Sequence, residues 1–460
     1  MKQRFLKKFL FLAVVFALTI GSAGSSGQAV VASPARLADH VVYLPVVLKG
    51  SPQPTIFGVD LTGMPDGGMP WAVKAGLSWT RITTSWAKIE PAPGERDWEA
   101  VAAIEKQMRD ATDNRMATIL IVEDTPAWAL KAGFNCGAVA QEQFPALQAF
   151  LTDLVKRYSV YPYNVRYWEM WNEPDVENRF GCWGTPNEPY YGGEHYGEML
   201  KIAYPIIKAL QPEGQVLVGG LLLNCDPRNP PAGSDCTPST FLTGILQSGA
   251  ANSFDGVSFH SYDYYSTKDE MYANPSWNTR WDDVGPAMTF KGDYLTEVLK
   301  EWNVPDKYLI NTEFAVLCDT CAGSDAFEHA KAVFLLQGYV LSQARGYRLA
   351  LWYSMIGWRN TGLLTPSLQP RPAYYALSFA RQQLGEAQYV ESSTLDEVDY
   401  HAFRRNTTTI WVLWAKDHLT HTVTLSQTPT AVYDVLGDPQ AVDGVNLDVT
   451  KSPTYVVWTP

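Results

Sequence analysis

Basic residues are few in this 460-residue chain, which has 36 Lys and Arg against 48 Asp and Glu. The formal net charge is therefore −12, and no segment carries a basic patch. Four of the basic residues stand in the first 24 positions, which hold no acidic residue, so the rest of the chain carries −16. Such a charge argues against nucleic acid and against anionic membranes as partners.

Long apolar runs are also lacking, with one exception at the N-terminus. Residues 9–20 form an apolar run that follows basic positions 2–8 and precedes small residues at 21–24. This order is typical of a signal peptide over residues 1–24. We therefore expect a secreted or extracytoplasmic protein, with the cell surface as one such location. We expect no membrane contact after cleavage of the signal peptide. The run is short for a spanning helix, although an uncleaved anchor is an open alternative.

Cysteine occurs only six times, and cysteines in an exported chain are expected to form disulfides. Many pairings are possible. Proximity in the sequence suggests the pairs Cys225–Cys236 and Cys318–Cys321. Cys136 and Cys182, each after a predicted strand, would then be left as the third pair, and this pairing is a hypothesis. The Cys-x-x-Cys motif could instead bind a metal or act in redox chemistry, but it has no second copy and no neighbouring histidine.

Residues 25–54 show no periodicity and are interpreted as a linker. From residue 55 onward, strand-like and helical patterns alternate, which is typical of a parallel sheet wrapped by helices. Strands are predicted at 56–61, 79–83, 117–122, up to 173, 215–222, 256–260, up to 313, and 349–355. Helices are predicted at 70–75, 97–112, 145–158, 195–210, 239–248, 294–302, 326–344 and 372–384. This order predicts an α/β fold, a (β/α)8 TIM barrel over residues 55–387.

The helical pattern ends beyond residue 387. Short strands are predicted at 398–404, 408–414, 420–425, 431–434 and 454–458, with polar turns between them. We interpret residues 388–460 as a small C-terminal β-domain packed against the barrel. A carbohydrate-binding module is the alternative, although the segment is short for a free-standing sandwich.

The strongest functional signal is the apolar and aromatic run that begins at residue 167 and ends in Asn172-Glu173-Pro174. Pro174 cannot donate to a sheet ladder, so the strand ends beside Glu173. Two tryptophans stand in the same run, and an apolar setting raises the pKa of a carboxyl group by desolvation. A proton donor that works near neutral pH needs such a setting.

A second strand-like run, residues 308–313, also ends in a carboxylate, Glu313. Two strand-end carboxylates far apart in sequence are what glycoside cleavage needs. One acts as acid/base and the other as nucleophile on either side of the anomeric carbon. The alternative is a pair of surface carboxylates that happen to end two strands.

The two runs together resemble clan A of the glycoside hydrolases. These are (β/α)8 barrels whose acid/base Glu follows an Asn at the end of strand 4 and whose nucleophile Glu ends strand 7. The resemblance implies that Asn172 and Glu173 are the strand-4 pair and that Glu313 is the nucleophile. It implies a retaining mechanism, with carboxyl groups about 5 to 5.5 Å apart.

The resemblance also implies supporting residues. Arg81 on strand 2 would keep Glu313 ionised, and Tyr262 would donate a hydrogen bond to it. His260 would line the sugar site, and Trp352 would stack on the sugar beside the scissile bond. Structural roles are the alternatives, namely a surface arginine, a satisfied buried histidine and a core tryptophan. Weaker candidates for contacts to sugar hydroxyls are Asp60, Glu123, Asp124 and Trp128.

We therefore expect a monomeric retaining glycoside hydrolase that acts on an oligo- or polysaccharide of β-linked sugars, with no metal and no organic cofactor. Resemblance to family 39 favours a β-xylosidase-like activity, while β-glucan, β-mannan and uronide-containing glycans stay open. A catalytically silent carbohydrate-binding barrel is the alternative, but such a barrel would usually lack one of the carboxylates. A metal-dependent barrel hydrolase is disfavoured because strand 1 has no His-x-His and the chain has only seven histidines.

Overall fold

The computed structural model describes residues 55–61, 68–176, 181–282 and 285–460. The expected signal peptide (1–24) and linker (25–54) lie outside the described residues, so both stay predictions. The chain from Pro52 to Pro460 forms one compact unit. Within the described ranges, no helix combines the length and the apolar character that crossing a membrane requires.

The barrel sheet confirms the predicted fold. Its strands are β1 (Phe57–Asp60), β2 (Trp79–Ser85), β3 (Ala117–Glu123), β4 (Tyr167–Asn172), β5 (Gln215–Leu221), β6 (Gly256–Ser266), β7 (Met271–Asn274), β8 (Thr279–Arg280), β9 (Tyr308–Leu317) and β10 (Ala350–Trp352). The ring runs β1-β2-β3-β4-β5-β6-β9-β10 and closes through the pairing of β10 with β1, with every pair parallel. Strands β7 and β8 form an antiparallel extension on the end of β6.

Helices surround this ring. They are α1 (Met69–Lys74), α2 (Trp86–Ile89), α3 (Ala102–Asp113), α4 (Phe144–Tyr158), α5 (Gly193–Leu210), α6 (Phe241–Gln247), α7 (Ala287–Glu301), α8 (Asp325–Ala344) and α9 (Pro372–Leu384). Because both faces of a parallel barrel sheet are covered, its strands are near-continuous apolar runs, as in β3. This is why the apolar pattern located them.

Two strands are longer than the sequence predicts. β6 continues past residue 260 to Ser266, and β9 continues past Glu313 to Leu317. The two extensions pair with each other as far as Tyr264 and Leu317. Glu313 therefore lies within a strand rather than at its end, which corrects the predicted boundary. The extension is stabilised by a tertiary pairing that local sequence does not reveal.

The start of α7 is also corrected, from the predicted residue 294 to Ala287. The backbone nitrogen of Ala287 donates to both carboxylate oxygens of Asp263, at 3.2 and 3.1 Å. A carboxylate at a helix N-terminus is a capping group. Here the cap comes from β6, a distant part of the sequence, so no local signal marked the helix start.

The C-terminal segment consists of β-strands, as predicted; these pair in an antiparallel manner and include two strands that the sequence did not predict. Its strands are β11 (Gln388–Leu395), β12 (Val398–Arg405), β13 (Thr408–Ala415), β14 (His421–Thr424), β15 (Ala431–Tyr433), β16 (Asn446–Val449) and β17 (Thr454–Trp458). The added strands are β11 and β16. β11 is a sheet edge with little buried surface, so it has no apolar alternation to detect. Phe379 of α9 packs against Tyr433 and Tyr455, which joins this segment to the barrel helices.

Three disulfides confirm the hypothesised pairing. Cys136 bonds Cys182, Cys225 bonds Cys236, and Cys318 bonds Cys321. The first joins the loop after β3 to the loop after β4, and the other two lie in the loops after β5 and β9. All three therefore stabilise loops at the C-terminal end of the barrel. Because Cys318 and Cys321 are bonded to each other, they are not a metal pair in this structure.

Candidate active site

Glu173 and Glu313 meet at the C-terminal end of the barrel. Glu173 directly follows β4, and Glu313 lies on β9 in register with His260 of β6. One carboxylate oxygen of each Glu and one ring nitrogen of His260 lie within 4.8 Å of one another. A cavity of about 600 Å³ is lined by both carboxylates, together with Asn172 and Tyr262. The two runs singled out in the sequence thus converge on one cavity.

Arg81 is the cation at the centre of this group, and it is buried rather than a surface residue. Its guanidinium contacts Glu313 and donates to Glu169 Oε2 at 2.6 Å and to Asn172 Oδ1 at 2.7 Å. Asp60 of β1 lies 3.4 Å from the same guanidinium. Because the Asn172 oxygen accepts from Arg81, its amide nitrogen is left to donate into the cavity. Glu169 was not singled out in the sequence, since a mid-strand carboxylate gives no local sign of its partner.

Tyr262 and His260 join the carboxylates from β6. The Tyr262 hydroxyl donates to Glu313 Oε2. His260 Nδ1 lies 2.9 Å from Glu173 Oε1 and 3.5 Å from Glu313 Oε2, so the ring bridges the pair. Its other nitrogen packs against Gly220 of β5, where an added Cβ would fall 2.0 Å from Nε2. Glycine at position 220 is therefore what lets the ring occupy this place.

Glu173 is held in a way that favours its protonated form. Burial raises its pKa to about 7, although the charges of Arg81 and Lys291 lower it. Its backbone has a φ of 45°, in the left-handed region that few non-glycine residues adopt. Its amide nitrogen donates to the Gly220 carbonyl at 3.0 Å, which holds this turn against β5. A carboxyl group that keeps its proton near neutral pH can act as a general acid.

Glu313 has the contacts that favour an ionised carboxylate. Burial raises its pKa as well, while His260 and Arg81 lower it. Two carboxyl groups this close do not both ionise readily. Glu313 accepts from the guanidinium of Arg81 and from the hydroxyl of Tyr262, and both contacts stabilise the ionised form. These contacts therefore favour a proton on Glu173 and a negative charge on Glu313.

A buried lysine beneath the cavity was missed by the sequence analysis. Lys291 of α7 is 3% exposed, lines the cavity, and donates to the carbonyls of Leu222 at 2.6 Å and His260 at 2.9 Å. Burial lowers its pKa to about 8. Buried Asp175 and Asp263 lie near it, and burial raises the pKa of each to about 7. Because the sequence predicts α7 only from residue 294, Lys291 fell in an expected loop.

The structure corrects the expectation for Trp352. Its ring is fully buried against Phe314 and Phe334, and Nε1 donates to the Thr361 carbonyl at 3.0 Å. A ring without an exposed face cannot stack on a sugar. The next residue, Tyr353, lines the cavity instead. The prediction was wrong by one residue. Side chains alternate between the two faces of a strand, but this alternation breaks down where a strand turns into a loop, so the inward-facing residue there cannot be read from the sequence.

The weaker candidates divide into two groups. Asp60 is fully buried against Arg81, and the Trp128 indole donates to the Glu90 carbonyl at 3.2 Å. Glu123 and Asp124 line a separate cavity of about 330 Å³ near the ends of β2 and β3. Burial raises the pKa of Glu123 to about 8. Contacts of these residues with sugar hydroxyls stay predictions.

Glu173, His260 and Glu313 could together offer three ligand atoms to a metal ion. The position of Arg81 disfavours that use, because its guanidinium already contacts Glu313 and would repel a second cation there. The donor set suits proton transfer and nucleophilic attack better.

No protein-family model and no curated protein matches the sequence. Solved structures do match its fold. A family 39 glycoside hydrolase from Bacteroides cellulosilyticus gives a TM-score of 0.64 at 20% identity, over 88% of this chain and 81% of that chain. A family 30 subfamily 8 xylanase from Clostridium acetobutylicum gives 0.60 at 13% identity, over 88% and 96%. A monomeric β-xylosidase from Caulobacter crescentus gives 0.56 at 13% identity, over 87% and 96%. The chain shares the fold of these glycoside hydrolases, as the clan A resemblance implied.

Proposed function

We propose that this protein is a retaining glycoside hydrolase that cleaves β-linked glycans, with Glu173 as acid/base and Glu313 as nucleophile. The observation that carries the proposal is the geometry of the pair. Oxygens of the two carboxyl groups lie within 4.8 Å of each other in one cavity, and Glu313 contacts the guanidinium of Arg81. Retaining enzymes hold their carboxyl groups about 5 to 5.5 Å apart, and inverting enzymes leave wider room for a water molecule.

In the first step, ionised Glu313 attacks the anomeric carbon and forms a covalent glycosyl ester. The bond from that carbon to the leaving oxygen breaks, and Glu173 delivers its proton to the oxygen. As the leaving group departs, Glu173 becomes a carboxylate, and His260 Nδ1 at 2.9 Å stabilises it. Arg81 and Tyr262 hold Glu313 in place for the attack.

In the second step, Glu173 removes a proton from a water molecule, which attacks the anomeric carbon and releases Glu313. Two displacements at one carbon give net retention of configuration. Asn172, whose oxygen is fixed by Arg81 at 2.7 Å, presents its amide nitrogen to the 2-hydroxyl of the sugar. The chemistry uses the chain's own carboxyl groups, and we expect no metal or cofactor to be required.

Neighbours described as a xylanase and a β-xylosidase make xylan and xylosides the first substrates to test. The proposal includes export from the cytoplasm, which three disulfides support. A monomer is expected, as in the β-xylosidase described as monomeric.

The test is a panel of aryl β-glycosides and polysaccharides assayed with the parent protein, Glu173→Ala and Glu313→Ala. We expect turnover by the parent and none by Glu313→Ala. Glu173→Ala should hydrolyse aryl glycosides with good leaving groups and be accelerated by azide, with formation of a β-glycosyl azide. A glycosyl azide of inverted configuration would contradict retention. Glycan binding without any turnover by the parent would favour the carbohydrate-binding barrel.

A further inference from the structure

Two exposed aromatic side chains stand on the wall of the catalytic cavity. Trp358, in the loop after β10, is 50% exposed, and Tyr264, on the extension of β6, is 42% exposed. Both line the cavity that holds Glu173 and Glu313. A single exposed aromatic residue is ordinary, but two adjacent ones on a cavity wall indicate a binding surface.

The guanidinium of Arg359 joins the two rings. It lies 5.5 Å from the centre of Tyr264 and 5.1 Å from the centre of Trp358. Asp319 binds it through two contacts, at 2.6 and 2.8 Å, so the cation is fixed between the rings. We call Tyr264, Trp358 and Arg359 the aromatic platform. Arg359 also forms a side-chain hydrogen bond with Tyr264, and because a guanidinium has five N–H donors, some of them remain for sugar hydroxyls.

The loop that carries Trp358 is anchored to the barrel. The buried Lys331 of α8 donates to the carbonyls of Asn360 and Gly362, each at 3.0 Å. The Cys318 nitrogen donates to the Arg359 carbonyl at 3.1 Å, and the Asn360 amide donates to the Cys318 carbonyl at 2.8 Å. An anchored surface keeps its geometry before a ligand arrives, which lowers the entropy lost on binding.

The backbone of this loop is held in an unfavourable form. Arg359 has a φ of 50° and Asn360 a φ of 64°, two successive non-glycine residues in the left-handed region. Such conformations persist only where the surroundings enforce them, and they concentrate at binding sites. Here the enforced turn is what places Trp358 and Arg359 at the cavity.

The aromatic platform lies next to the two carboxylates, on the side of the cavity mouth. Tyr262, whose hydroxyl contacts Glu313, has its ring centre 6.5 Å from that of Trp358. Tyr264 follows two residues farther along β6, which moves it about 7 Å toward the cavity mouth. A sugar held at Glu173 and Glu313 would therefore be followed by its neighbour in the glycan at the aromatic platform.

We propose that the aromatic platform binds a second sugar ring, so that the substrate is a glycan of at least two sugars rather than a simple glycoside. The faces of Trp358 and Tyr264 would pack against the C–H face of that ring, and Arg359 would donate to its hydroxyls. This inference rests on the proposed glycosidase function, since it takes Glu173 and Glu313 as the place of the reacting sugar.

The experiment compares two substrates, xylotetraose and β-xylosyl fluoride, or their counterparts for another sugar that the panel identifies. The fluoride occupies only the reacting position. Trp358→Ala and Tyr264→Ala should each lower kcat/KM for the tetrasaccharide about tenfold and leave that for the fluoride within about twofold. Trp358→Phe should retain most of the tetrasaccharide activity. Trp302→Ala is the matched control, because Trp302 is 38% exposed at the far end of α7.

A second readout does not depend on turnover, namely the Kd of the tetrasaccharide and of the monosaccharide in the Glu313→Ala protein. Adding Trp358→Ala should weaken tetrasaccharide binding about tenfold and leave monosaccharide binding unchanged. If the parent protein has no activity but Trp358→Ala still weakens tetrasaccharide binding, the proposed glycosidase function is rejected and the proposed aromatic platform is retained. The platform proposal would be overturned if Trp358→Ala lowered kcat/KM equally for both substrates or for neither. It would also be overturned if the Glu313→Ala protein did not bind the tetrasaccharide.

Discussion

The two ends of the barrel interior are formed by the same strands, but one end is filled by apolar side chains and the other by charged side chains. At the N-terminal end the strands contribute an apolar plug of buried side chains, which are Trp79, Ile119, Leu217, Ile310, Leu349 and Leu351. Toward the C-terminal end they contribute buried charged groups. On β2, Trp79 belongs to the plug, and Arg81, two residues later on the same face, contacts the carboxylates.

This difference teaches where stability and function lie in the molecule. Burial of apolar side chains stabilises the fold, whereas burial of charges costs free energy that their mutual attraction only partly returns. The apolar plug should therefore tolerate small changes without loss of activity. At the charged end, a change of one group should alter activity, the pH profile or stability strongly.

The largest effect is expected for Glu313→Gln. The substitution keeps the shape of the side chain but removes the nucleophile, so kcat/KM should fall at least about 10³-fold. Stability should not fall, because the protein loses a buried negative charge that lies near Asp60 and Glu173. Steady-state kinetics and urea unfolding measure both quantities. A retained activity within about tenfold of the parent would contradict the assignment of Glu313.

Arg81→Leu should damage stability most. Three carboxylates, Asp60, Glu169 and Glu313, contact its guanidinium in the interior and would lose their counter-charge. Removing one partner of a buried ion pair costs about 3 to 5 kcal/mol of unfolding free energy. Urea unfolding at pH 7 checks this value. Arg166→Leu is the control, because Arg166 is a half-exposed surface residue paired with exposed Glu213, and it should cost less than about 1 kcal/mol.

The pH profile should depend on Lys291. In the proposed mechanism protonated Glu173 is the acid, and burial raises its pKa to about 7, so activity should fall as the pH rises through about 7. The positive charge of Lys291 lowers the pKa of Glu173, as does Arg81. Lys291→Met should therefore raise that pKa and move the falling limb of kcat/KM to higher pH.

The matched control for this shift is Lys331→Met. Lys331 is a second buried lysine, whose pKa burial likewise lowers to about 8, but it lies under the loop after β10. Its removal should leave the limb unchanged when both variants are assayed on an aryl glycoside with a poor leaving group, which needs the proton of Glu173. A shift of equal size in both variants would show that lost packing, rather than the charge of Lys291, moves the limb.

The sequence analysis located the barrel because period and composition are local properties of each strand and helix. It singled out Glu173 and Glu313 for the same reason, as strand runs that lead into carboxylates, and both line one cavity. It missed Lys291 and Glu169, and it chose Trp352 where Tyr353 reaches the cavity. For Lys291 and Glu169 the deciding contact joins distant elements, whereas for Trp352 the end of a strand changed the alternation of side chains. The Asp263 cap that starts α7, seven residues before the predicted start, is such a contact.

The smallest effect is expected at the apolar plug, and it tests the comparison most directly. Ile310 is fully buried in the plug and stands three residues before Glu313 on the same strand. Ile310→Val removes one methylene group and should lower the unfolding free energy by about 1 kcal/mol. Because a parallel strand held by its ladder on both sides resists local movement, Glu313 should keep its place. We therefore expect kcat/KM within about twofold of the parent. A tenfold loss of activity at unchanged stability would mean that the plug positions the nucleophile, and the division between the two ends would then be wrong.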